Sequence, residues 1–269
     1  MTAAMDKKVT LCFFTFALIL LGSCENPTAN DCNSNSTIVE SLKQRISISE
    51  ESGEYNKVIL LCDSVLSILP EDRLALLKKG MALQLTTRNS EAIIILNKLI
   101  NLAPEKDSDA YFWRANAKEA IGDTVGAIAD HTLAIIVDTT YANSYNNRGQ
   151  IYRYQRKYEL AISDLSKAIF YNPSQVLTYN NLANAYAESG KPDSALVYYS
   201  RGLAIQETDF LFFDRAILKF KLKRYQEAIV DFNSAIKLNK VNPVIYIYRG
   251  HCYSWLDQTE LMCNDYLMA

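Results

Sequence analysis

The chain has 269 residues, of which 49% are apolar and 22% charged, so it can bury a sizeable core in one or two domains and is not a disordered protein. Nine glycines and six prolines are few for this length, which disfavours turn-rich sandwiches and barrels and predicts an all-α fold. A net charge of −2 and only two histidines argue against a nucleic-acid partner and against a histidine-based metal site, and no cofactor is expected.

The first 23 residues have the features of a secretion signal. Lys7 and Lys8 precede an uncharged run of 13 residues, from position 9 to position 21. That run is shorter than the roughly 20 residues of a membrane-spanning helix and matches the apolar region of a signal peptide. The small residues at 22 and 23, directly before Cys24, resemble the lipobox of bacterial lipoproteins. The resemblance implies a lipid anchor on Cys24 and a place in the bacterial cell envelope, facing the periplasm or the exterior, with an ordinary cleaved signal as the alternative.

Residues 24–38 form a polar segment between this signal and the rest of the chain. From Glu25 to Ser36 no aliphatic residue is larger than Ala29. Such a segment buries too little apolar surface to offset the entropy lost on ordering, so we predict a flexible tether. Further along the chain, Cys252 and Cys263 could form a disulfide or remain small buried thiols, and the sequence leaves both possibilities open.

A repeat of about 34 residues organises residues 39–269. In each copy a small or apolar residue is expected near the start of the second helix, and it recurs at intervals of 33 to 35 residues: Val58, Ala92, Ala127, Ala161, Ala195, Ala228 and Met262. Each copy contains two stretches with helical spacing of apolar residues, separated by a short break. Two amphipathic helices with facing apolar stripes form a hairpin, so the sequence predicts about seven helical hairpins.

The order of residues within each copy resembles the tetratricopeptide repeat. The family's aromatic, small, aromatic, Ala, aromatic, Ala and Pro positions are met in the fourth copy, with leucine replacing the second-helix aromatic, by Tyr145, Gly149, Tyr152, Ala161, Leu165, Ala168 and Pro173. The resemblance runs from about residue 39 to the end. It implies a right-handed superhelix, an α-solenoid, with a concave groove that is lined by the first helix of each hairpin and that usually binds peptides or proteins.

Two positions of the repeat change together. In four copies the seventh residue is arginine and the twenty-third is aspartate, whereas Leu182 at the seventh position accompanies Tyr198 at the twenty-third. Arg45 in the first copy is an exception, because it faces Leu61. Because these positions are near neighbours in an antiparallel hairpin, the sequence predicts four ion pairs: Arg114 with Asp130, Arg148 with Asp164, Arg215 with Asp231, and Arg249 with Asp265. The alternative is a set of arginines that binds anions.

The groove-facing positions of the family carry many amides in the central copies. They are Asn116, Asn143, Asn146, Asn147, Gln150, Asn180, Asn181 and Asn184. Side-chain amides both donate and accept hydrogen bonds, so a ladder of them could bind the backbone of an extended peptide. The alternative is that these residues solvate an exposed helix face.

Aromatic residues flank the amides on both sides. Phe112 and Trp113 precede them, and Phe213 begins a second group that also contains Phe210, Phe220, Tyr248 and Trp255. Aromatic side chains are frequent anchors at protein interfaces. His251 is predicted to face the groove, whereas His131 occupies a core position. The stems of Lys118 and Lys219 are expected to cover apolar surface with the ammonium in solvent.

Catalytic motifs are absent from the sequence, which contains no Gly-rich phosphate loop, HExxH or GxSxG. We therefore predict a binding scaffold rather than an enzyme. An accessory subunit of an envelope enzyme, transport or assembly complex, or a carrier of a small ligand, is the alternative. The last helix is apolar on most sides, and we expect it to meet a partner or a second copy of the chain through Leu261, Met262, Tyr266, Leu267 and Met268.

Overall fold

A computed structural model of the chain describes residues 29–103, 105 and 107–269, and these residues form fourteen helices and no strand. The helices are α1 (Ala29–Glu51), α2 (Tyr55–Ile68), α3 (Arg73–Leu85), α4 (Asn89–Leu102), α5 (Ser108–Ala120), α6 (Thr124–Val137), α7 (Ala142–Tyr154), α8 (Tyr158–Tyr171), α9 (Val176–Glu188), α10 (Pro192–Ile205), α11 (Asp209–Lys221), α12 (Tyr225–Leu238), α13 (Pro243–Trp255) and α14 (Thr259–Met268). The predicted all-α fold is confirmed. The signal segment and Cys24 lie outside the described residues.

The chain divides into two compact units, Met1–Lys79 and Gly80–Ala269, with the division inside α3. In the first unit α1 packs against α2. In the second unit each helix from α4 to α14 packs against the next one, and α7, α9, α11 and α13 also contact one another in order. Contact of each hairpin only with the hairpins before and after it is the pattern of stacked helical repeats. No helix among the described residues is both long enough and apolar enough to cross a membrane.

The repeat read from the sequence coincides with the helices. Each of the seven small or apolar residues that define the interval is the fourth residue of an even-numbered helix, and all but Met262 are fully buried. Small residues on the partner helix allow close approach. At Gly149 in α7 an added Cβ would lie 2.8 Å from Leu165 Cγ and 3.3 Å from the Ala161 carbonyl oxygen in α8. The tight contact therefore explains the glycine.

A left-handed residue closes the turn after every odd-numbered helix. These residues have φ between 58° and 85°, and they are Gly53, Thr87, Gly122, Arg156, Gly190, Lys223 and Asp257. Glycine adopts this conformation without strain, whereas each of the other four residues costs the folded protein about 1 kcal/mol of stability. Proline begins α10 and α13, where its missing N–H costs no helical hydrogen bond.

The structure differs from the sequence analysis at the start of the first helix. Helix α1 begins at Ala29, so residues 29–38, which were assigned to a flexible tether, are helical. Residues 35–38 are exposed, and Val39 is the first buried residue among the described side chains. Once a helix is nucleated by packing, each further residue adds one hydrogen bond at little cost. Composition alone could not show this extension, because it reports burial and not the continuation of a neighbouring helix.

Cys62, Cys252 and Cys263 are free thiols. Cys252 is buried and Cys263 is exposed, and no disulfide joins them. Burial raises the pKa of the Cys252 thiol to about 12, so this side chain stays protonated and packs as a small apolar group. In α14 Leu267 is 85% exposed and Met268 is 64% exposed. Contact of this helix with a partner or a second copy stays a prediction.

The structure forms all four arginine–aspartate pairs that the sequence predicts. Arg148 donates from Nε to Asp164 Oδ2 at 2.7 Å and from Nη2 to Oδ1 at 2.9 Å. The other three pairs have the same two-bond geometry. All four aspartates are buried. A guanidinium that donates twice in one plane satisfies a buried carboxylate better than a point charge does.

Two lysines depart from their predicted solvent exposure. Lys118 Nζ lies 2.8 Å from Asp130 Oδ2, and Lys219 Nζ lies 2.7 Å from Asp231 Oδ2. Each lysine stands four residues after the arginine of its helix, and therefore on the same helix face. The ammonium turns inward because its attraction to the carboxylate is stronger away from water, where the dielectric constant is low.

Each of these arginines also reaches the preceding hairpin. The remaining Nη1 of the arginine donates to a side-chain oxygen of the previous even-numbered helix. The acceptors are Asn97 at 2.7 Å, Thr132 at 2.8 Å, Ser200 at 2.9 Å and Asn233 at 2.6 Å. We call this three-way contact the arginine staple. It joins the two helices of one hairpin and ties that hairpin to its predecessor.

Removing the arginine of one staple should leave a buried carboxylate without a counter-charge. We expect Arg148→Leu to lower the free energy of unfolding by about 3 kcal/mol, because Asp164 stays buried without its cation. The double variant Arg148→Leu with Asp164→Tyr copies the Leu182 and Tyr198 pair of the next hairpin and should recover most of that loss. Urea denaturation of the full chain measures both changes. Equal losses in the single and double variants would contradict the pairing.

His131 makes the stability depend on pH. The ring is fully buried, with Nδ1 3.4 Å from Ser144 Oγ and with Nε2 unpartnered among the described residues. Burial first, and then the charge of Arg148, lower the pKa of His131 from 6.5 to about 4, while Asp130 opposes the shift. The folded ring therefore stays neutral while the unfolded chain binds a proton. Stability falls as the pH drops from 6.5 to 4, by about 3 kcal/mol at most.

The variant His131→Phe should remove this component of the pH dependence. When the pH falls from 7.5 to 4.5, we expect the free energy of unfolding of wild type to drop by about 2 kcal/mol more than that of His131→Phe, since phenylalanine binds no proton. Denaturation of both chains at the two pH values gives the comparison. His251→Phe, at an exposed ring, is the matched control. Parallel pH profiles for His131→Phe and wild type would rule out the assignment.

Candidate functional site

The candidate residues lie on the odd-numbered helices of the second unit. We call the surface formed by α5, α7, α9, α11 and α13 the first-helix face. The fifth, sixth and ninth residues of each helix fall on one side of it, because positions three and four apart lie together on an α-helix. In α7 these are Asn146, Asn147 and Gln150, and in α9 they are Asn180, Asn181 and Asn184.

Four of the predicted asparagines bond to one another across three hairpins. Asn181 Nδ2 donates to Asn146 Oδ1 at 3.0 Å, and Asn146 Nδ2 donates to Asn147 Oδ1 at 3.0 Å. Asn147 Nδ2 then donates to Asn116 Oδ1 at 2.9 Å. We call these four residues the amide chain. It joins α9, α7 and α5 through side chains alone.

Three asparagines of the predicted amide ladder are buried. Asn146 and Asn181 are each 3% exposed and Asn180 is 7% exposed, so these three amides do not solvate an open helix face. Asn146 and Asn181 bond to each other and are therefore not free to bind a peptide backbone. They are buried because the neighbouring odd-numbered helix supplies their hydrogen-bond partners, which a single-helix pattern does not show. Asn143 is exposed and accepts a hydrogen bond from Gln175 Nε2 at 3.4 Å.

A row of amides remains partly open to solvent at the ninth position of three successive odd-numbered helices. Asn116, Gln150 and Asn184 are all half-buried. Asn116 accepts from Asn147, and Asn184 accepts from the Tyr199 hydroxyl at 2.5 Å. Part of the hydrogen-bonding capacity of each amide is left for another molecule. We call these three residues the amide row.

Asp214 in α11 is a further polar residue on this face, and the sequence analysis missed it. Its Oδ2 accepts from Asn180 Nδ2 at 2.9 Å and from Asn184 Nδ2 at 3.4 Å. Burial and the charge of Asp214 both raise the pKa of Tyr199, so the phenol that orients Asn184 stays protonated. Asp214 is the sixth residue of its helix, in register with Asn147 and Asn181. This shared position is the sequence signal by which Asp214 could have been recognised as part of the site.

The sequence analysis also missed an ion pair next to this group. Arg153 Nη1 lies 2.5 Å from Glu188 Oε1, and the Arg153 side chain is 11% exposed. Its Cζ lies 4.5 Å from the centre of the Tyr154 ring. Because Arg153 belongs to α7 and Glu188 to α9, the pair links two neighbouring hairpins and leaves little of the arginine charge for a ligand.

The first aromatic group is mostly core. Phe112 is buried, with its ring centre 5.2 Å from Trp113, 5.9 Å from His131 and 5.6 Å from Tyr141. It therefore contributes to packing and is not part of an exposed patch, which corrects the prediction. Trp113 is half-buried. The helix phase was right, but the ring of Tyr141 from the following segment covers Phe112.

The second aromatic group is more accessible. Phe213 is half-buried, with its ring centre 6.0 Å from that of Tyr248. His251, which the helix phase predicts to face the groove, is exposed, and its ring centre lies 6.4 Å from that of Phe220 and 6.0 Å from that of Tyr248. Trp255 is 66% exposed and stacks on Tyr225 at 5.7 Å. We call Phe213, Phe220, Tyr248, His251 and Trp255 the aromatic patch.

The surface is equipped for noncovalent recognition. Across the part of the chain that the structure describes, no three His, Cys, Asp or Glu side chains are grouped so that they could hold a metal ion. The first-helix face instead combines an amide row, one carboxylate and an aromatic patch. These groups supply hydrogen bonds, a charge and apolar contact, which are the elements of peptide and protein binding.

Comparison with known families recovers the repeat. The tetratricopeptide repeat family model matches residues 142–175 and 176–209, and two further models of the same repeat match residues 74–106 and 211–242. Human tetratricopeptide repeat protein 6 is 32% identical over 116 residues, which is 43% of this chain and 22% of that protein. This chain therefore spans about a fifth of the length of that curated relative.

Solved structures show the same architecture. A tetratricopeptide repeat protein from Parabacteroides merdae has a TM-score of 0.65 at 18% identity, covering 85% of this chain and 91% of that chain. YrrB, a tetratricopeptide repeat protein with an unusual peptide-binding site, has a TM-score of 0.53 at 19% identity, covering 63% of this chain and 88% of that chain. Identities this low establish the fold alone. The all-helical chain contains tetratricopeptide repeats, in residues 74–106, 142–209 and 211–242.

Proposed function

We propose that the chain is a noncatalytic scaffold that binds an extended peptide or protein segment along the first-helix face. The observation that carries this proposal is the amide row, in which Asn116, Gln150 and Asn184 offer half-exposed amides at one position of three successive hairpins. Packed helices lie about 10 Å apart, and an extended chain advances about 3.3 Å per residue. One amide of the row therefore meets roughly every third residue of a bound peptide.

The bound backbone supplies the matching groups. An extended peptide presents unpaired N–H and C=O groups, and a primary amide can donate to one and accept from the other. The aromatic patch at one end of the row adds apolar area where a ligand side chain can be anchored. YrrB, which shares the fold, has a peptide-binding site, and this supports peptide binding by the chain.

Shortening two members of the amide row should weaken peptide binding. Twelve-residue peptides selected from a displayed random library on the full chain provide the ligands, and fluorescence anisotropy gives their Kd. We expect Asn116→Ala combined with Gln150→Ala to raise Kd about tenfold, since each removes about one hydrogen bond. The matched control is Gln226→Ala, an exposed glutamine on the even-numbered helix α12. Equal effects of the control and the double variant would contradict the proposal.

We also propose that the scaffold is a lipoprotein, anchored through acyl chains on Cys24 and facing the periplasm or the exterior of a bacterial cell. The support is the order of Lys7, Lys8, the uncharged run and the small residues directly before Cys24. A single acyl chain binds membranes only weakly, whereas two or more give stable attachment. The anchor would hold the binding surface near a membrane without a spanning helix.

Replacing the anchor cysteine should release the chain. After expression in bacteria fed with radiolabelled palmitate, we expect Cys24→Ala to lose the label and to leave the membrane fraction. Cys32→Ala, which removes a cysteine eight residues later, serves as the control and should remain labelled and membrane-bound. Label that persists in Cys24→Ala would exclude this anchor.

A further inference from the structure

Asp214 keeps one carboxylate oxygen unused. Both of its amide partners, Asn180 and Asn184, donate to Oδ2, and no described residue donates to Oδ1. The side chain is half-buried on the first-helix face, between α9 and the aromatic patch. A carboxylate has room for about four hydrogen bonds, so half of the capacity of Asp214 is available.

Asp214 also has no counter-charge among the residues that the structure describes. The four fully buried aspartates each pair with an arginine at 2.5 to 2.7 Å. No Lys, Arg or His nitrogen of the described residues lies within 4.0 Å of the Asp214 carboxylate. Arg153 lies close enough to Tyr199 for its charge to lower the pKa of that phenol, but the arginine forms an ion pair with Glu188. A half-buried carboxylate without a neighbouring cation can pair with the cation of a ligand.

Asn180 supplies a second, independent acceptor at the same place. Its Oδ1 is buried and has no hydrogen-bond partner among the described residues, while Nδ2 of the same amide donates to Asp214. A buried acceptor without a donor destabilises the unliganded protein, and a donor that reaches it recovers that loss. Asp214 Oδ1 and Asn180 Oδ1 are therefore two neighbouring acceptors that lack donors.

The surroundings hold these acceptors in place for a cation. The Tyr199 hydroxyl donates to Asn184 Oδ1, which directs Asn184 Nδ2 toward Asp214. On the other side Phe213 precedes Asp214 in the chain, and its ring lies against that of Tyr248 from α13. An ammonium or guanidinium group carries several N–H donors and is also attracted to aromatic ring faces.

We propose that Asp214 and Asn180 form a subsite for the side chain of a lysine or arginine in the bound peptide. The inference rests on the proposed peptide-binding function and specifies which peptides the first-helix face selects. The basic side chain donates to Asp214 Oδ1 and to Asn180 Oδ1, and its charge compensates that of the carboxylate. The ligand residues on one side of it lie along the aromatic patch.

Selection of peptides on variants of the full chain tests this subsite. Random twelve-residue peptides displayed on phage are selected on wild type, Asp214→Asn, Asp214→Lys and Asp193→Asn. The last variant is the matched control, because it removes one negative charge from an exposed residue of α10. Wild type and Asp193→Asn should enrich lysine or arginine at one place in the peptides. Asp214→Asn should lose that preference, and Asp214→Lys should prefer aspartate or glutamate.

Affinities of one selected peptide make the test quantitative. Changing its basic residue to alanine should raise Kd about tenfold on wild type and leave Kd nearly unchanged on Asp214→Asn. Asparagine has the shape of aspartate, so this comparison holds even where Asp214→Lys fails to fold. Wild-type peptides without a basic preference, or a preference that survives in Asp214→Asn, would overturn the subsite and leave the proposed function standing. Failure to select any peptide would overturn both.

Discussion

In the hairpins that carry the arginine staple, a carboxylate lies between two helices where water is excluded. An ionised group there is stable only when its charge and its lone pairs are met. The guanidinium of Arg148 meets both oxygens of Asp164 in one plane and reaches Thr132 of the preceding hairpin with its third nitrogen. One side chain thus fixes the register within a hairpin and between two hairpins. The positions of α5, α7, α11 and α13, and of the groups that these helices place on the first-helix face, depend on that register.

The fifth hairpin, formed by α9 and α10, shows how the stack continues where the staple is missing. Leu182 replaces the arginine and is fully buried. In the same helix Asn181 donates to Asn146 of the preceding hairpin, and Asn180 donates to Asp214 of the following one. The hairpin without the arginine is therefore tied to both neighbours through side-chain amides. In this hairpin, the staple contact between an odd-numbered and an even-numbered helix is replaced by contacts between odd-numbered helices on the first-helix face.

This exchange also shapes the surface that we propose as the binding site. Buried amides hold α7, α9 and α11 in fixed register, so that the half-exposed members of the amide row keep their spacing. The carboxylate of Asp214 is positioned by the same contacts. Groups that stabilise the stack and groups that remain partly open to a ligand therefore lie side by side on α7 and α9. Such preorganisation lowers the entropy that binding must offset.

The sequence by itself determined the helical class, the repeat interval and the four arginine–aspartate pairs. Apolar periodicity and covarying positions such as 7 and 23 act within one hairpin, where helix geometry fixes which residues face each other. Only the tertiary structure decided which amides are buried, that Phe112 is covered, that the Lys118 ammonium turns inward and that no cation of the described residues pairs with Asp214. Those properties depend on which atoms of neighbouring hairpins meet within about 3 Å, and no periodicity along the chain encodes that distance.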